Sequence, residues 1–356
     1  MVSTTKTHKP YAYATLITRG SYLAGVVTLA YTLKKHNAAY PLVVLHTPSL
    51  SQNALRALEL ESLRSNLILR RCNQLLPPQD VEINLIARRF EDTWTKLRVF
   101  ELFEFDAVCY LDADMAGFHN MDSIFDKLGQ LPTDWLGANQ SCVCNRDHDP
   151  WAPEDWHPAN CAYTPLSSPT QPTDISPRTH HLINGGMFLF RPSEIMWKSM
   201  MKLFNSSPLL SNFKFPDQDF LALFFAGRWK ALGWQYNALK TMKYWHPNIW
   251  RDEEVICLHY VVDKPWAARI AADGTAGYKG RDGLTHSWWY NAYSAWECER
   301  MEEFGDRCEV VSLVRTGVAP PNERIKDWVD IEQDPDMTAI GNRVQAFANS
   351  RNAIAL

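Results

Sequence analysis

Long apolar runs are missing from this chain. No stretch approaches the roughly 18 consecutive apolar residues of a membrane-crossing helix, which excludes a helical span. The first ten residues are polar and hold no apolar core of a secretory signal, so a cytoplasmic location is expected. Basic runs are missing too. The formal net charge is −4, and Lys34-Lys35 and Arg88-Arg89 are too short for a nucleic-acid footprint or a polybasic membrane patch. Eight cysteines in 356 residues are too sparse to require a disulfide framework. The turn after the first strand has no G-x-G-x-x-G pattern, which disfavours a dinucleotide site. No internal repeat is present.

What is present has the length and apolar content of one large α/β domain or two smaller ones. Tyr11 to Thr18 is an apolar strand, and Tyr22 to His36 carries apolar residues at helical spacing with Lys34 and Lys35 in its last turn. Tyr40 to His46 is a second strand, Ser51 to Arg64 a second helix opened by a serine cap, and Leu67 to Leu69 a third strand. A helix from Thr95 to Phe103 leads into the strand at 108. This alternation predicts a mostly parallel sheet with helices on both faces. The periodicity stops after Leu136, and a segment rich in Pro, Asp, Asn, His and Cys (139–181) reads as an insertion or lid. Strands at 182–190 and 255–262 and helices at 193–204, 217–225 and 287–301 follow. Beyond Gly317 the chain is polar and weakly patterned, a loose tail.

The stretch Val108-Cys109-Tyr110-Leu111-Asp112-Ala113-Asp114 ends a buried strand in two carboxylates one residue apart. Residues i and i+2 of a strand point the same way, so both carboxylates can face one cation. Incomplete hard-oxygen sets suit Mg²⁺ or Mn²⁺ shared with phosphates; a solvated turn is the alternative. His259, inside an apolar strand, is either a core histidine or the softer third ligand of a Mn²⁺ set. Lys96 and Lys264 are surface cations or, facing a crevice, counter-charges for a leaving diphosphate. Asn184-Gly185-Gly186 is a turn or a close approach of backbone to ligand. Asp217-Gln218 caps a helix or joins the same crevice. Strand ends and helix starts are where an open α/β sheet binds its ligand.

Read in chain order, T-L-I-T-R-G-S-Y, S-Y-L-A-G-V-V-T-L-A, A-Y-P-L-V-V-L, T-K-L-R, Y-L-D-A-D, I-N-G-G-M-F-L-F-R-P-S, D-Q-D-F-L and H-Y-V-V-D-K-P-W resemble the retaining glycosyltransferases of family 8, over about residues 11–300. Within that family the chain is nearer galactinol synthase than glycogenin, on Ala39 to Val44, Cys142-x-Cys144 with Cys161, Tyr236-Asn237 with His246-Pro247, and Trp288-Trp289.

The resemblance implies a single Rossmann-like nucleotide-diphospho-sugar transferase domain of the GT-A type at 11–310, a flexible N-terminus at 1–10 and a tail at 311–356. It implies a nucleotide pocket at Leu16, Thr18 and Tyr22, and Mn²⁺ on Asp112, Asp114 and His259 with Ala113 beside the donor. It further implies donor-sugar contacts at Asn184 and Gly185, Asp217 and Gln218 near the anomeric carbon, Lys96 near the sugar diphosphate, and Lys264 as diphosphate clamp. Asp217, Gln218 and Lys96 are the expected catalytic set.

This chain departs from glycogenin in four places. Arg19 replaces an asparagine, the His259–Lys264 interval is one residue shorter, Lys214 replaces an acid, and Tyr244 is a poor candidate for a self-glucosylated tyrosine. The expected reaction moves galactose or glucose from a UDP-sugar to a hydroxyl, with a polyol such as myo-inositol as acceptor. A glycogenin-like self-glucosylating initiator and a catalytically inactive sugar-nucleotide-binding protein are the alternatives. Neither the donor epimer nor the oligomeric state is readable, and a homodimer stays open. The insertion holds Cys142, Cys144, Cys161, His148, His157, His180 and His181 in spacings that match no standard closed zinc site. Packed free thiols are the first expectation there, with structural zinc as the alternative; a lid over the acceptor pocket is compatible with either.

Overall fold

The computed structural model describes residues 10–78, 92–150, 152–165 and 171–320; Arg88-Arg89, most of the expected N-terminal segment and most of the expected tail lie outside them. Along the chain come β1 (Tyr11–Ile17), α1 (Leu23–Lys35), β2 (Leu42–His46), α2 (Gln52–Ser62), β3 (Leu67–Arg71), β4 (Ala107–Leu111), β5 (Met115–Gly117) and β6 (Leu136–Gln140). After them come β7 (Ile183–Phe190), α3 (Glu194–Ser206), α4 (Pro216–Phe224), β8 (Trp229–Ala231), β9 (Ala238–Leu239), α5 (Met242–Trp245), β10 (Cys257–His259), α6 (Gly283–Phe304) and α7 (Glu309–Arg315). Among the described residues a seven-stranded sheet has the order β3-β2-β1-β4-β7-β6-β8, and β5-β10-β9 form a smaller sheet beside it. Pairing in the large sheet is parallel except where β7 runs against β4 and β6. The expected mostly parallel α/β sheet is the one observed.

The strands read as continuous apolar runs because both faces are covered. Alternate residues divide between two cores: Tyr13, Leu42, Val44, Cys109 and Leu111 face α1, α2, α6 and α7. Ala12, Val43, Leu45, Val108 and Tyr110 face the opposite layer, with Trp94, Phe100, Met200 and Phe220. α1 is buried from Leu23 to Leu33. It lies against the loop after β4 because residue 25 is glycine: a Cβ there would sit 2.2 Å from the Ala113 carbonyl and 2.6 Å from the Trp266 ring.

The segment expected as an α-helix at 95–103 is a 3-10 helix, Thr93–Glu101. Its anchors Trp94, Leu97 and Phe100, all buried, recur every third residue, the period of that helix. The strand expected at 255–262 is only Cys257–His259: a 3-10 turn at Asp252–Glu254 precedes it, and Val262 at φ 66° takes a left-handed conformation that no strand continues through. The insertion begins after β6 rather than at 139. The boundary expected at 310 falls inside α7, whose Val310, Val311 and Val314 are buried. The chain stays anchored beyond Gly317: the Ala319 N–H donates to the Trp266 carbonyl at 2.8 Å, and Ala319 is fully buried.

Candidate active site

A cleft of about 330 Å³ opens at the carboxyl ends of β1 and β4, within the size range of small-molecule sites. Leu16, Thr18, Tyr22, Lys96, Asp112, Ala113, Asp114, Asn184, Gly185, Asp217, Gln218, His259 and Lys264 all line it. Every residue singled out from the sequence as a site candidate therefore meets in one place.

Its centre is an alternating charge lattice. The Lys96 ammonium contacts Asp112 at 2.9 Å and Asp217 and donates to the Gly185 carbonyl at 3.1 Å. Burial alone would lower its pKa, but the two carboxylates outweigh burial and raise it. Asp112 also accepts from the Tyr110 hydroxyl at 2.9 Å; burial and the neighbouring Asp114 and Asp217 push its pKa up against the pull of Lys96 and His259. Asp114 is the opposite case. Burial would raise it, yet Lys264 and His259 hold it well below the usual carboxylate range. Lys264 reaches Asp114 while donating to the Tyr260 carbonyl at 2.8 Å. The tight loop with Val262 at φ 66° turns the shortened His259–Lys264 interval back onto the acidic pair.

His259 Nε2 lies 3.3 Å from Asp114 Oδ1. Its Nδ1 is 2.9 Å from Asn237 Oδ1. The Asn237 amide nitrogen donates to Asn184 Oδ1 at 2.9 Å, and that oxygen also accepts from the Gly186 N–H at 3.0 Å. This chain of donors fixes Asn237 Oδ1 as an acceptor. His259 Nδ1–H therefore donates to it, which turns Nε2 toward Asp114. The ring fits only because residue 186 is glycine, where a Cβ would sit 2.1 Å from His259 Cε1.

Ligand atoms of Asp112, Asp114 and His259 all lie within 4.8 Å of one another. Two carboxylates and one oriented imidazole fit a borderline divalent ion. Three carboxylates against two ammoniums leave the centre with one negative charge in excess, which also fits.

One end of the cleft is framed by Thr18, whose hydroxyl donates to Asp92 at 2.8 Å, and by Arg19, which grips the same carboxylate through Nε at 2.7 Å. Tyr22 stands edge-on to Trp266, with centroids 5.8 Å apart. Opposite Asp217, the Gln218 side-chain oxygen accepts from the Gly185 N–H at 3.1 Å. The far wall is aromatic: Trp156 stacked on Phe215 at 5.8 Å, Trp245 and Tyr278 all border the cleft. Tyr244, half-buried, is held under the Arg281 guanidinium.

Sequence reasoning missed Tyr110, Asp92 and the roles of Asn237 and Gly186. The alternation of β4, which puts Tyr110 and Asp112 on one side, could have flagged the tyrosine.

An open α/β sheet with a carboxylate pair and an oriented histidine at its carboxyl edge is the arrangement of a GT-A glycosyltransferase, and the solved structures agree. The chain superposes on a galactosyltransferase LgtC in complex with donor and acceptor sugar analogues (TM-score 0.52, 16% identity, 80% of this chain and 95% of that one). It also superposes on the glycosyltransferase GlyE of Streptococcus pneumoniae TIGR4 (TM-score 0.53, 16% identity, 88% and 67%). The family model Glycosyl transferase family 8 matches residues 14–269, and the chain belongs to that family. It is 31% identical over 261 residues to galactinol synthase 4 of Arabidopsis thaliana (72% of this chain, 73% of the relative). It is 29% identical over 260 residues to galactinol synthase 2 of Solanum lycopersicum (72% of each). The protein is a retaining, UDP-sugar-dependent glycosyltransferase. No helix among the described residues is long and apolar enough to cross a membrane.

Proposed function

We propose that this enzyme transfers galactose from UDP-galactose to a hydroxyl of a small polyol of the myo-inositol type, with a Mn²⁺-class ion on Asp112, Asp114 and His259. The observation that carries the reading is the convergence of those three ligands beside Lys96, Asp217 and Lys264 in one cleft, together with the similarity to galactinol synthases. A divalent ion there would supply Lewis-acid neutralisation of the diphosphate. Lys264 and Lys96 add fixed positive charge on either side of the carboxylate pair, where the leaving diphosphate gathers negative charge.

Asp217 is held by Lys96 and orients the donor sugar. Gln218 lines the face opposite the nucleotide, fixed by the Gly185 N–H; a neutral amide is too poor a nucleophile for a stable adduct. Retention then follows from attack on the same face the diphosphate leaves. The anomeric carbon–oxygen bond to UDP breaks, the acceptor oxygen bonds the same carbon, and its proton passes to the departing β-phosphate. No carboxylic acid is required, because the leaving group is already acidic, unlike the sugar oxygen of a glycosidase. The aromatic wall of Trp156, Trp245 and Tyr278 suits the apolar face of a cyclic polyol.

The test is UDP release from UDP-galactose and UDP-glucose with Mn²⁺, with and without myo-inositol, read together with NMR of the product. Polyol-stimulated release and an α-linked product are expected. Release indifferent to every polyol, or hexose found on the protein itself, would overturn the acceptor assignment.

A further inference from the structure

Apart from the cleft's carboxylates and histidine, four other side chains converge without a role in sugar transfer. Cys142 and Cys144 follow β6, Cys161 lies further along the insertion, and His246 caps α5. His246 Nε2 is 3.1 Å from Cys142 Sγ, 3.2 Å from Cys144 Sγ and 3.6 Å from Cys161 Sγ. The sulfurs of Cys142 and Cys161 are 4.0 Å apart, too far for a disulfide, whose S–S bond is about 2.05 Å.

We infer that Cys142, Cys144, Cys161 and His246 form a structural zinc site. A tetrahedral ion with Zn–S near 2.3 Å and Zn–N near 2.0–2.1 Å sets its ligands about 3.8 Å apart sulfur to sulfur and about 3.6 Å sulfur to nitrogen, close to the spacings observed. Packed thiols do not need this geometry: one S–H satisfies one imidazole nitrogen, whereas here a single nitrogen faces three sulfurs. Nor does any hydrogen bond from the other ring nitrogen orient the imidazole. His246 is fully buried and packs against the Tyr163 ring at 5.6 Å; its Nδ1 has no hydrogen-bond partner among the described residues, so the polar contacts of the ring are those of Nε2 with the sulfurs. The Thr164 hydroxyl, 3.4 Å from Cys144 Sγ, is placed to donate to a thiolate. Binding displaces the thiol protons and closes the set with no open position, which makes the site structural rather than catalytic.

The spacing hid this site because the fourth ligand lies outside the insertion, 85 residues beyond Cys161. The zinc would staple the insertion to the end of α5. Cys142 and Trp245 both border the cleft, so the staple would set the far wall against which the acceptor packs. The inference is independent of the sugar-transfer reading.

The test is the metal content of the full chain purified without chelator, by inductively coupled plasma mass spectrometry. About one zinc per chain is expected, released by a mercurial thiol reagent. Cys161→Ser and His246→Ala should lose it, and Asp114→Asn should keep it. Should the ligand variants fail to fold, Co²⁺ exchanged into the wild type should give thiolate-to-cobalt charge-transfer bands and the strong d–d bands of a tetrahedral sulfur site. A folded wild type that is zinc-free and gives no such Co²⁺ spectrum would overturn the inference. So would a Cys142–Cys161 disulfide in the non-reduced peptide map, or loss of zinc from Asp114→Asn with retention in Cys161→Ser.

Discussion

Gly186→Ala tests whether the position of the His259 ring controls the chemistry. The added methyl would sit 2.1 Å from His259 Cε1 and 2.6 Å from Nδ1, against an ordinary carbon contact of about 3.5–4.0 Å. The ring must withdraw by more than an ångström, which stretches both its 3.3 Å approach to Asp114 and its 2.9 Å bond to Asn237. A misplacement of about 1 Å costs on the order of 100-fold in rate, or about 2.7 kcal/mol of transition-state stabilisation. Overpacking should cost about 1–3 kcal/mol of stability. A double-mutant cycle separates the two effects. In a His259→Ala background the ring is gone, the methyl's remaining close neighbour is Asn184 Oδ1 at 3.0 Å, and Gly186→Ala should cost far less in turnover than it does in the wild type. Steady-state UDP release on the four proteins, with thermal melts as the folding control, decides it. A Gly186→Ala rate within about threefold of wild type, a loss of less than about 0.7 kcal/mol, would refute the reasoning. So would full additivity with His259→Ala.

Three more predictions concern groups around the same centre and one remote pair. Asn237→Leu removes the acceptor that orients the His259 ring and should weaken divalent-ion affinity about 10–100-fold, measured by calorimetric titration in the presence of UDP. Asp219 accepts from the backbone N–H groups of Lys214 and Phe215 at 2.8 and 3.0 Å, and burial pushes its pKa up from 3.8 to about 6. A folded-state pKa above the unfolded value means stability present below about pH 4 and lost as pH rises through about 6. Asp219→Asn should therefore be more stable than wild type at pH 8, with the gain shrinking toward pH 4 in a series of thermal melts. Arg300 pairs with Glu61 at 2.7 Å, both buried, and ties α6 to α2. Arg300→Leu leaves that carboxylate unpaired and should cost about 3–5 kcal/mol in denaturant unfolding.

The parts of the fold that were legible in the sequence are those where both faces of a strand are buried. β1, β2 and β4 announce themselves as apolar runs ending at a turn or a carboxylate. β6 does not: Leu-Gly-Ala-Asn-Gln has little strand propensity and enters the sheet because β7 and β8 flank it. The acidic pair, Lys96, Asp217 and Lys264 were legible because ionisable residues at strand ends and helix starts are easily seen against an apolar background. Asn237 and His246 were not, since a hydrogen bond to an imidazole and convergence on three sulfurs are properties of three dimensions. Val262 was invisible for another reason: a branched residue at positive φ contradicts its own propensity, and it sits in the loop that the Lys264 hydrogen bond to the Tyr260 carbonyl closes.

The proposed chemistry depends on Asp112, Asp114 and His259 holding one divalent ion beside the nucleotide. Mn²⁺ binding in the presence of UDP, followed by electron paramagnetic resonance, tests it most directly. About one Mn²⁺ per chain is expected in the wild type, lost in Asp114→Asn and retained in Cys144→Ser. Undiminished Mn²⁺ binding by a folded Asp114→Asn chain would contradict it.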